Sequence, residues 1–494
     1  MIKLILLLLS FLFKMQAVSG QGQLNSSVAM NHGSLKVSEN KRYLQHADGT
    51  PFFYLGDTGW ELFHRLDRNE AIKYLDNRAG KGFDVIQAVA LAEMNGLNSP
   101  NAYGDLPMKK DSSFVPEVTT GSNFGNAKEY DYWDHVAYIV EEASKRNLYI
   151  GLLPCWGEYV TPRFTTVVFD TPLKGYNYGW FIGNRMKNFD NIIWILGGDR
   201  LPDERFSGIG VWRAMAEGIT DALNGSKVFD GTADYSTTLM SYHCFYPSSI
   251  WFMDDPWIDF NMWGSYHEKA NNDRAFEIAN YQWNISAIRP TLNGEPPYEN
   301  ATINYNPEGK FGYFDDFDVR QQAYWSVFAG CMGHTYGSNS VWSMNDPQKR
   351  KKSYKGNAWY YELDLPGSTQ LKYLKMLIES RPFYSRHPAD SLLTSNTYDL
   401  IGQLKASAGE GYIMVYVPTE KKVEVQTSYL KGKETNAWWY NPRDGKSQLI
   451  GKFENEGTIS FEAPGKPERG NDWVLVLDDA SFNYLAPGSQ LPIR

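Results

Sequence analysis

The sequence predicts an α/β chain in which a (β/α)8 barrel precedes a small antiparallel β-sandwich. Three observations predict it. From about residue 50, short β-rich apolar runs alternate with amphipathic helical stretches, the pattern of parallel β/α units. Eight such runs occur over roughly 300 residues, the number that closes a barrel through right-handed crossovers. Beyond about residue 385 the helical period is lost, and short alternating runs punctuated by Gly, Pro and Asn replace it.

The eight expected strands lie at 52–55, 83–89, 148–153, 192–196, 239–244, 258–262, 291–293 and 333–336. The run Ile192-Ile193-Trp194-Ile195-Leu196 is apolar throughout, as a strand buried on both faces requires. Helices are expected at 69–80, 131–146, 180–188, 319–330 and 368–379. Sandwich strands are expected at 400–404, 412–417, 423–427, 437–440 and 473–477. The domain reading is a leader over 1–20, a catalytic barrel over 35–380 and a sandwich over 385–494. A doubly wound sheet is the alternative, but Gly56-Asp57-Thr58-Gly59-Trp60 is not the Gly-rich phosphate turn a nucleotide-binding version carries.

Composition narrows the function. A formal net charge of −9 argues against a nucleic-acid partner, which needs a basic face. Aromatics make up 15% of the chain, with 16 Trp and 32 Tyr, which suits either a large aromatic core or flat platforms for sugar rings. Lys3, the apolar run 4–13 and the small residues Ala17 and Ser19 have the order of a cleavable leader, so the protein is expected to be exported to the periplasm or beyond, without a membrane span after cleavage. Cys155, Cys244 and Cys331 are far apart and odd in number, which implies no disulfide framework. The sequence holds no H-E-x-x-H and no clustered Cys/His set, so no metal and no cofactor are expected. A monomer is expected.

In a (β/α)8 barrel the active site gathers at the C-terminal ends of the strands. Polar and aromatic residues near those ends are Asp57 and Trp60, Gln87, Trp156, Asp199 with Arg200, His243, Trp263, Glu295 with Tyr298, and Tyr336 with Trp342. Asp199 and Glu295, at the ends of strands four and seven, would face each other across the mouth. Cleaving a glycosidic bond needs such a pair, one carboxyl donating to the leaving oxygen and one acting as nucleophile or base. Gly197 and Gly198 permit a sharp turn beside a ligand. Asp199 beside Arg200 is also readable as an ion pair, His243 as a core histidine, and Glu299 and Asp57 as rival acids. No G-x-S-x-G elbow supports a serine hydrolase.

Five stretches resemble the apiosidase-like glycoside hydrolases, family 140. They are Phe53-Tyr54-Leu55-Gly56-Asp57-Thr58-Gly59-Trp60, Gly82-Phe83-Asp84-Val85-Ile86-Gln87-Ala88, Ile193-Trp194-Ile195-Leu196-Gly197-Gly198-Asp199-Arg200, Gly294-Glu295-Pro296-Pro297-Tyr298-Glu299 and Gly333-His334-Thr335-Tyr336-Gly337. The resemblance runs from about residue 35 to the C-terminus, where the sandwich looks like the collagen-binding-type domain associated with that family. It implies a retaining enzyme that releases β-linked apiose from the galacturonan backbone of rhamnogalacturonan II, with Asp199 as acid/base and Glu295 as nucleophile. The run Trp263-Gly264-Ser265-Tyr266-His267 departs from the family's usual Gln-Ser-x-His type pattern. A different plant-wall glycosidase and a non-catalytic glycan-binding protein are the alternative readings.

Overall fold

The computed structural model describes residues 32–111, 114–162, 167–204, 208–349, 356–395, 400–420 and 422–489. The expected leader lies outside these residues. No helix among them is long and apolar enough to cross a membrane.

A small three-stranded antiparallel sheet over 35–52 precedes the barrel. Eight parallel strands follow: β1 Tyr54–Thr58, β2 Val85–Leu91, β3 Tyr149–Cys155, β4 Ile192–Gly197, β5 Met240–His243, β6 Asn261–Gly264, β7 Thr291–Glu295 and β8 Gly333–Tyr336. The order β8-β1-β2-β3-β4-β5 forms one continuous run and β6-β7 a second. Two seams separate them, and a few backbone bonds bridge them. Asp259 N–H donates to Met240 O (2.9 Å) beside β5 and β6, and Met332 N–H donates to Thr291 O (2.9 Å) beside β7 and β8. Most strand residues are buried, which explains the unbroken apolar runs.

The crossover helices are α1 Arg68–Gly80, α2 Tyr132–Ser144, α3 Pro172–Met186, α4 Gly208–Leu223, α5 Ala275–Asn284, α6 Asp316–Phe328 and α7 Pro366–Glu379. Between β5 and β6 the crossover shrinks to the single turn Ser249–Phe252. Capping boxes start three helices, through Asp67 with Glu70, Asp131 with Asp134 and Asp315 with Asp318. The helix expected over 180–188 starts earlier, because Thr171 caps it and Pro172 fits its first turn.

The C-terminal part holds β9 Lys405–Gly409, β10 Tyr412–Val417, β11 Lys422–Gln426, β12 Glu434–Tyr440, β13 Ser447–Glu454, β14 Thr458–Glu462 and β15 Trp473–Asp479. An antiparallel sheet runs β9-β10-β15-β12-β13, with the short strand His387–Pro388 at its β9 edge, and β11 pairs with β14. The strand expected over 400–404 is a correction: that segment turns, and the strand occupies Lys405–Gly409. The buried side chains Ala406, Ser407 and Ala408 are too small to announce a strand. Strands β13 and β14 were not expected, their exposed polar residues hiding the alternation.

The larger sheet is buried on both faces. In β10, Ile413, Val415 and Val417 enter the sandwich core, while Tyr412, Met414 and Tyr416 join the barrel's core. Arg320 of α6 pairs with Asp472 at 3.0 and 2.7 Å, Arg381 pairs with Asp478 at 2.8 and 2.7 Å, and Tyr324 stacks on Tyr416 at 4.8 Å.

Candidate active site

Two strand ends place the two acids. β4 finishes in a turn of left-handed residues, Gly197 (φ +92°), Gly198 (φ +124°) and Asp199 (φ +50°). A Cβ at Gly197 would stand 2.3 Å from His243 O, and one at Gly198 2.6 Å from the Trp156 ring, so both positions require glycine. Asp199 bears an unfavourable φ for a residue with a side chain, and its hydrogen bond from the Tyr266 hydroxyl (2.7 Å to Oδ1) helps hold it there. Glu295 ends β7 just past a register shift against β6 between Asn293 and Glu295. The backbone N–H groups of Ser265 and Tyr266 donate to its carbonyl at 3.1 and 2.9 Å, and the Tyr298 hydroxyl donates to its carboxyl. Trp60 Nε1–H in turn donates to the Tyr298 hydroxyl oxygen at 3.1 Å.

Beside them, His243 Nε2 stands 3.3 Å from Glu295 Oε2. One oxygen of Asp199, one oxygen of Glu295 and one His243 ring nitrogen all lie within 4.8 Å of one another. Burial pushes the Glu295 carboxyl up to about 8. Burial, and then the charge of Glu295, push Asp199 up to about 6. Burial pushes His243 down to about 4, so its imidazole is neutral near pH 7. The cluster therefore holds two acids that share protons across the neutral range. The same donor set has the composition to hold a cation, and two acids at this spacing equally suit glycosidic chemistry.

The carboxyls open into a cavity of about 780 Å³. Trp342, half-buried, and the buried Trp60, Trp156 and Tyr298 form its aromatic lining, and Glu93, Tyr266, His267 and Asn339 add polar edges. Next to it is an outer hollow of about 330 Å³ lined by Arg200, Phe245, Tyr246 and Tyr305. Asp199 borders both spaces, whereas Glu295 borders the inner one.

Of the residues expected here, Asp199, Glu295, Trp60, Trp156, Tyr298 and Trp342 meet at the inner cavity. Arg200 reaches the outer hollow, its Nε donating to Glu158 at 2.5 Å. His243 lies next to the acids with its ring packed edge-on to Trp60. Four expected contacts are corrected. Asp57 is fully buried, accepting from Arg78 Nε (2.6 Å) and the Tyr74 hydroxyl (2.5 Å). Gln87 spans the barrel interior, donating to Thr335 Oγ1 (2.8 Å) and Gly294 O (3.2 Å). Trp263 donates to Thr291 Oγ1 at 3.3 Å. The Tyr336 hydroxyl donates to Glu299 at 2.6 Å, which also places the rival acid Glu299 in a structural bond. None of these four lines the cavity. The expectation missed Glu93 and Tyr266. Strand β2 runs on to Leu91, so the polar residue past its end is Glu93 rather than Gln87. Likewise β6 runs to Gly264, and Tyr266, not Trp263, clears its end.

Residues 38–385 match the family described as "Apiosidase-like, catalytic domain". The chain belongs to the apiosidase-like family. Residues 387–478 match the "Putative collagen-binding domain of a collagenase". One similar solved structure, titled "Glycoside hydrolase", is 34% identical, with 92% of this chain and 99% of that one covered and a TM-score of 0.80. Another, titled as a glycoside hydrolase family 5 from Bacteroides vulgatus ATCC 8482, is 32% identical over 94% of this chain and 98% of its own, with a TM-score of 0.81. Among curated proteins none matches. The apiosidase-like chain is thus a glycoside hydrolase on a (β/α)8 fold with a separate antiparallel C-terminal part, and a carbohydrate is its substrate.

Proposed function

We propose that this apiosidase-like hydrolase is an exported, retaining enzyme that releases β-linked apiose from galacturonic acid in rhamnogalacturonan II, with Asp199 as acid/base and Glu295 as nucleophile. The observation that carries the mechanism is the spacing of the acids. Oxygens of Asp199 and Glu295 within 4.8 Å of each other suit direct attack, because inversion needs carboxyls about 6.5–9.5 Å apart to admit a water. The roles are those the family resemblance implies, and the two spaces are consistent with them. Asp199 stands where the inner cavity meets the outer hollow, the place where a leaving oxygen passes outward. Glu295 faces the inner cavity, where the anomeric carbon is held.

In the first step Glu295 attacks the anomeric carbon as Asp199 gives its proton to the departing oxygen. A covalent glycosyl-enzyme forms and the backbone sugar leaves. In the second step Asp199 takes a proton from water, the water oxygen attacks the anomeric carbon, and Glu295 leaves as a carboxylate. Burial alone favours the shared proton on Glu295. Substrate reverses this preference, since its leaving oxygen accepts from Asp199 while Tyr298 donates to Glu295 and His243 stands close enough to do so.

Apiose and the pectic backbone rest on the family the chain belongs to. Export rests on the leader-like order of residues 1–20. The test is a product NMR time course on rhamnogalacturonan II oligosaccharides. Free apiose appearing first as the β anomer is expected. An inverted first product would overturn retention, and absence of apiose with a folded enzyme would overturn the substrate. Asp199→Asn and Glu295→Gln are each expected to lower kcat by about 10³-fold or more, since each removes a reacting group.

A further inference from the structure

Besides Asp199 and Glu295, two carboxyls line the inner cavity: Glu362, which accepts from the Ser338 hydroxyl (3.1 Å) and the Ser340 N–H (2.9 Å), and Glu93. Glu93 follows the end of β2, and that strand carries a tryptophan on either side: Val89 N–H donates to Trp60 O, and Trp156 N–H donates to Leu91 O. The rings of Trp60 and Trp156 lie 5.4 Å apart. Glu93 therefore leaves the barrel between the segments that carry Trp60 and Trp156, at the cavity and near the charges of Asp199 and Glu295.

Other carboxyls around this mouth have protein partners. Asp57 has Arg78 and Tyr74, Glu61 has His64 and Arg65, Glu158 has Arg200, and Glu299 has Tyr336 and the Gly367 N–H. Among the described residues the Glu93 side chain has neither a hydrogen bond nor an ion pair, and it borders the cavity. A carboxyl with no internal partner is costly to enclose unless a ligand supplies one.

We propose that Glu93 is a specificity-determining residue that hydrogen bonds two adjacent hydroxyls of the sugar held in the inner cavity. Trp60 and Trp156 each expose only about 2% of their surface, so they back this part of the wall without offering an open stacking face, and sugar hydroxyls that reach it meet Glu93. Burial, followed by the charges of Asp199, Glu61 and Glu295, raises this carboxyl well above its ordinary range. A protonated carboxyl both donates and accepts, so it serves a vicinal diol without adding another negative charge.

The inference rests on the glycosidase reading but not on apiose. Its test compares the wild type with Glu93→Ala, Glu93→Asp and Glu93→Gln by KM and kcat on any glycoside the wild type cleaves, rhamnogalacturonan II oligosaccharides first. Calorimetry with free apiose, arabinose, xylose and galacturonic acid gives a binding readout independent of turnover. Glu93→Ala and Glu93→Asp are expected to weaken binding and raise KM by about 10- to 100-fold, the range for a lost hydrogen bond in a closed site. Glu93→Gln, which keeps a donor and an acceptor at full reach, recovers most of that loss. Glu93→Asp keeps a carboxyl in place, so it reports on reach even if Glu93→Ala unfolds. Wild-type KM and affinity in a folded Glu93→Asp overturn the proposal. Apiose release with such unchanged constants sinks Glu93 alone, whereas Glu93-dependent capture of another sugar without apiose release sinks the substrate alone.

Discussion

Asp199, half-buried, and Glu295, buried, bring one oxygen each within 4.8 Å and ionise in turn, because the second charge must form beside the first. The pair of Asp199 and Glu295 titrates at about 6 and about 8, so between those values it holds one proton. Below the window both are protonated and no nucleophile exists; above it both are ionised and no acid exists. A plot of kcat/KM against pH is therefore expected to be bell-shaped, with limbs near about 6 and about 8 and a maximum near about 7. A flat profile across that range would contradict the shared proton. The same shift acts on stability. The folded-state value of Glu295 lies above its ordinary 4.5, so the folded protein binds more protons than the unfolded one, and stability drains as pH rises from about 4.5 to about 8. Glu295→Gln carries no charge to bury. It is expected to be more stable than the wild type by an amount that grows across this window, reaching up to roughly 5 kcal/mol above pH 8. Thermal unfolding of both proteins at pH 5 and pH 9 checks the sign, and an advantage that shrinks with pH would refute it.

At the scale of elements, how much could be read from the sequence depended on burial. Continuous apolar runs such as Ile192-Ile193-Trp194-Ile195-Leu196 mark strands clearly, whereas β7 (Thr291–Glu295) and β8 (Gly333–Tyr336) mix polar residues and glycine into short strands. Strand ends are less legible, because the chain stays apolar past the last ladder bond. Reading β2 as ending at Val89 put Gln87 at the mouth, although its amide is consumed inside the barrel by Thr335 and Gly294. Asp57 misled for a related reason: a strand-end acid looks catalytic until its partner Arg78, 21 residues on, is folded against it. Helix α4 was not expected, although Val211, Trp212, Met215, Ile219 and Ala222 recur at helical spacing along it. Its partner α3 carries Gly175, Gly179 and Gly183 four residues apart, facing α4. A Cβ at Gly179 would stand 2.3 Å from Met215 O, a backbone atom that cannot swing aside. Helix propensity alone would make Gly179→Ala stabilising by about 0.5–1 kcal/mol. Forced separation of the two helices costs about 1–3 kcal/mol, so overpacking wins. Gly179→Ala is expected to lower the denaturation midpoint while kcat/KM of the folded enzyme stays at the wild-type level.

For the whole molecule, the decisive surface is the one between barrel and sandwich. The larger sheet gives alternate side chains to two cores: Val474 and Val476 of β15 to the barrel, Leu475 and Leu477 to the sandwich. Neither part can lose the other without exposing an apolar face, so a single cooperative unfolding transition is expected by calorimetry. The ion pair of Arg381 and Asp478 allows the coupling to be measured, since both side chains are almost wholly buried and joined by two bonds. Removing one partner leaves a buried charge without its counter-charge, at a cost of about 3–5 kcal/mol. Replacing both with apolar residues of similar volume removes the desolvation cost along with the attraction, and is often close to neutral. Asp478→Leu alone is therefore expected to destabilise the chain severely, and Arg381→Met with Asp478→Leu to recover most of the loss. If the double variant is as unstable as the sum of the singles in a denaturant-monitored cycle, the pair does not act as a unit. The apolar interleaving of Tyr412, Met414 and Tyr416 with the barrel would then be what ties the two parts together.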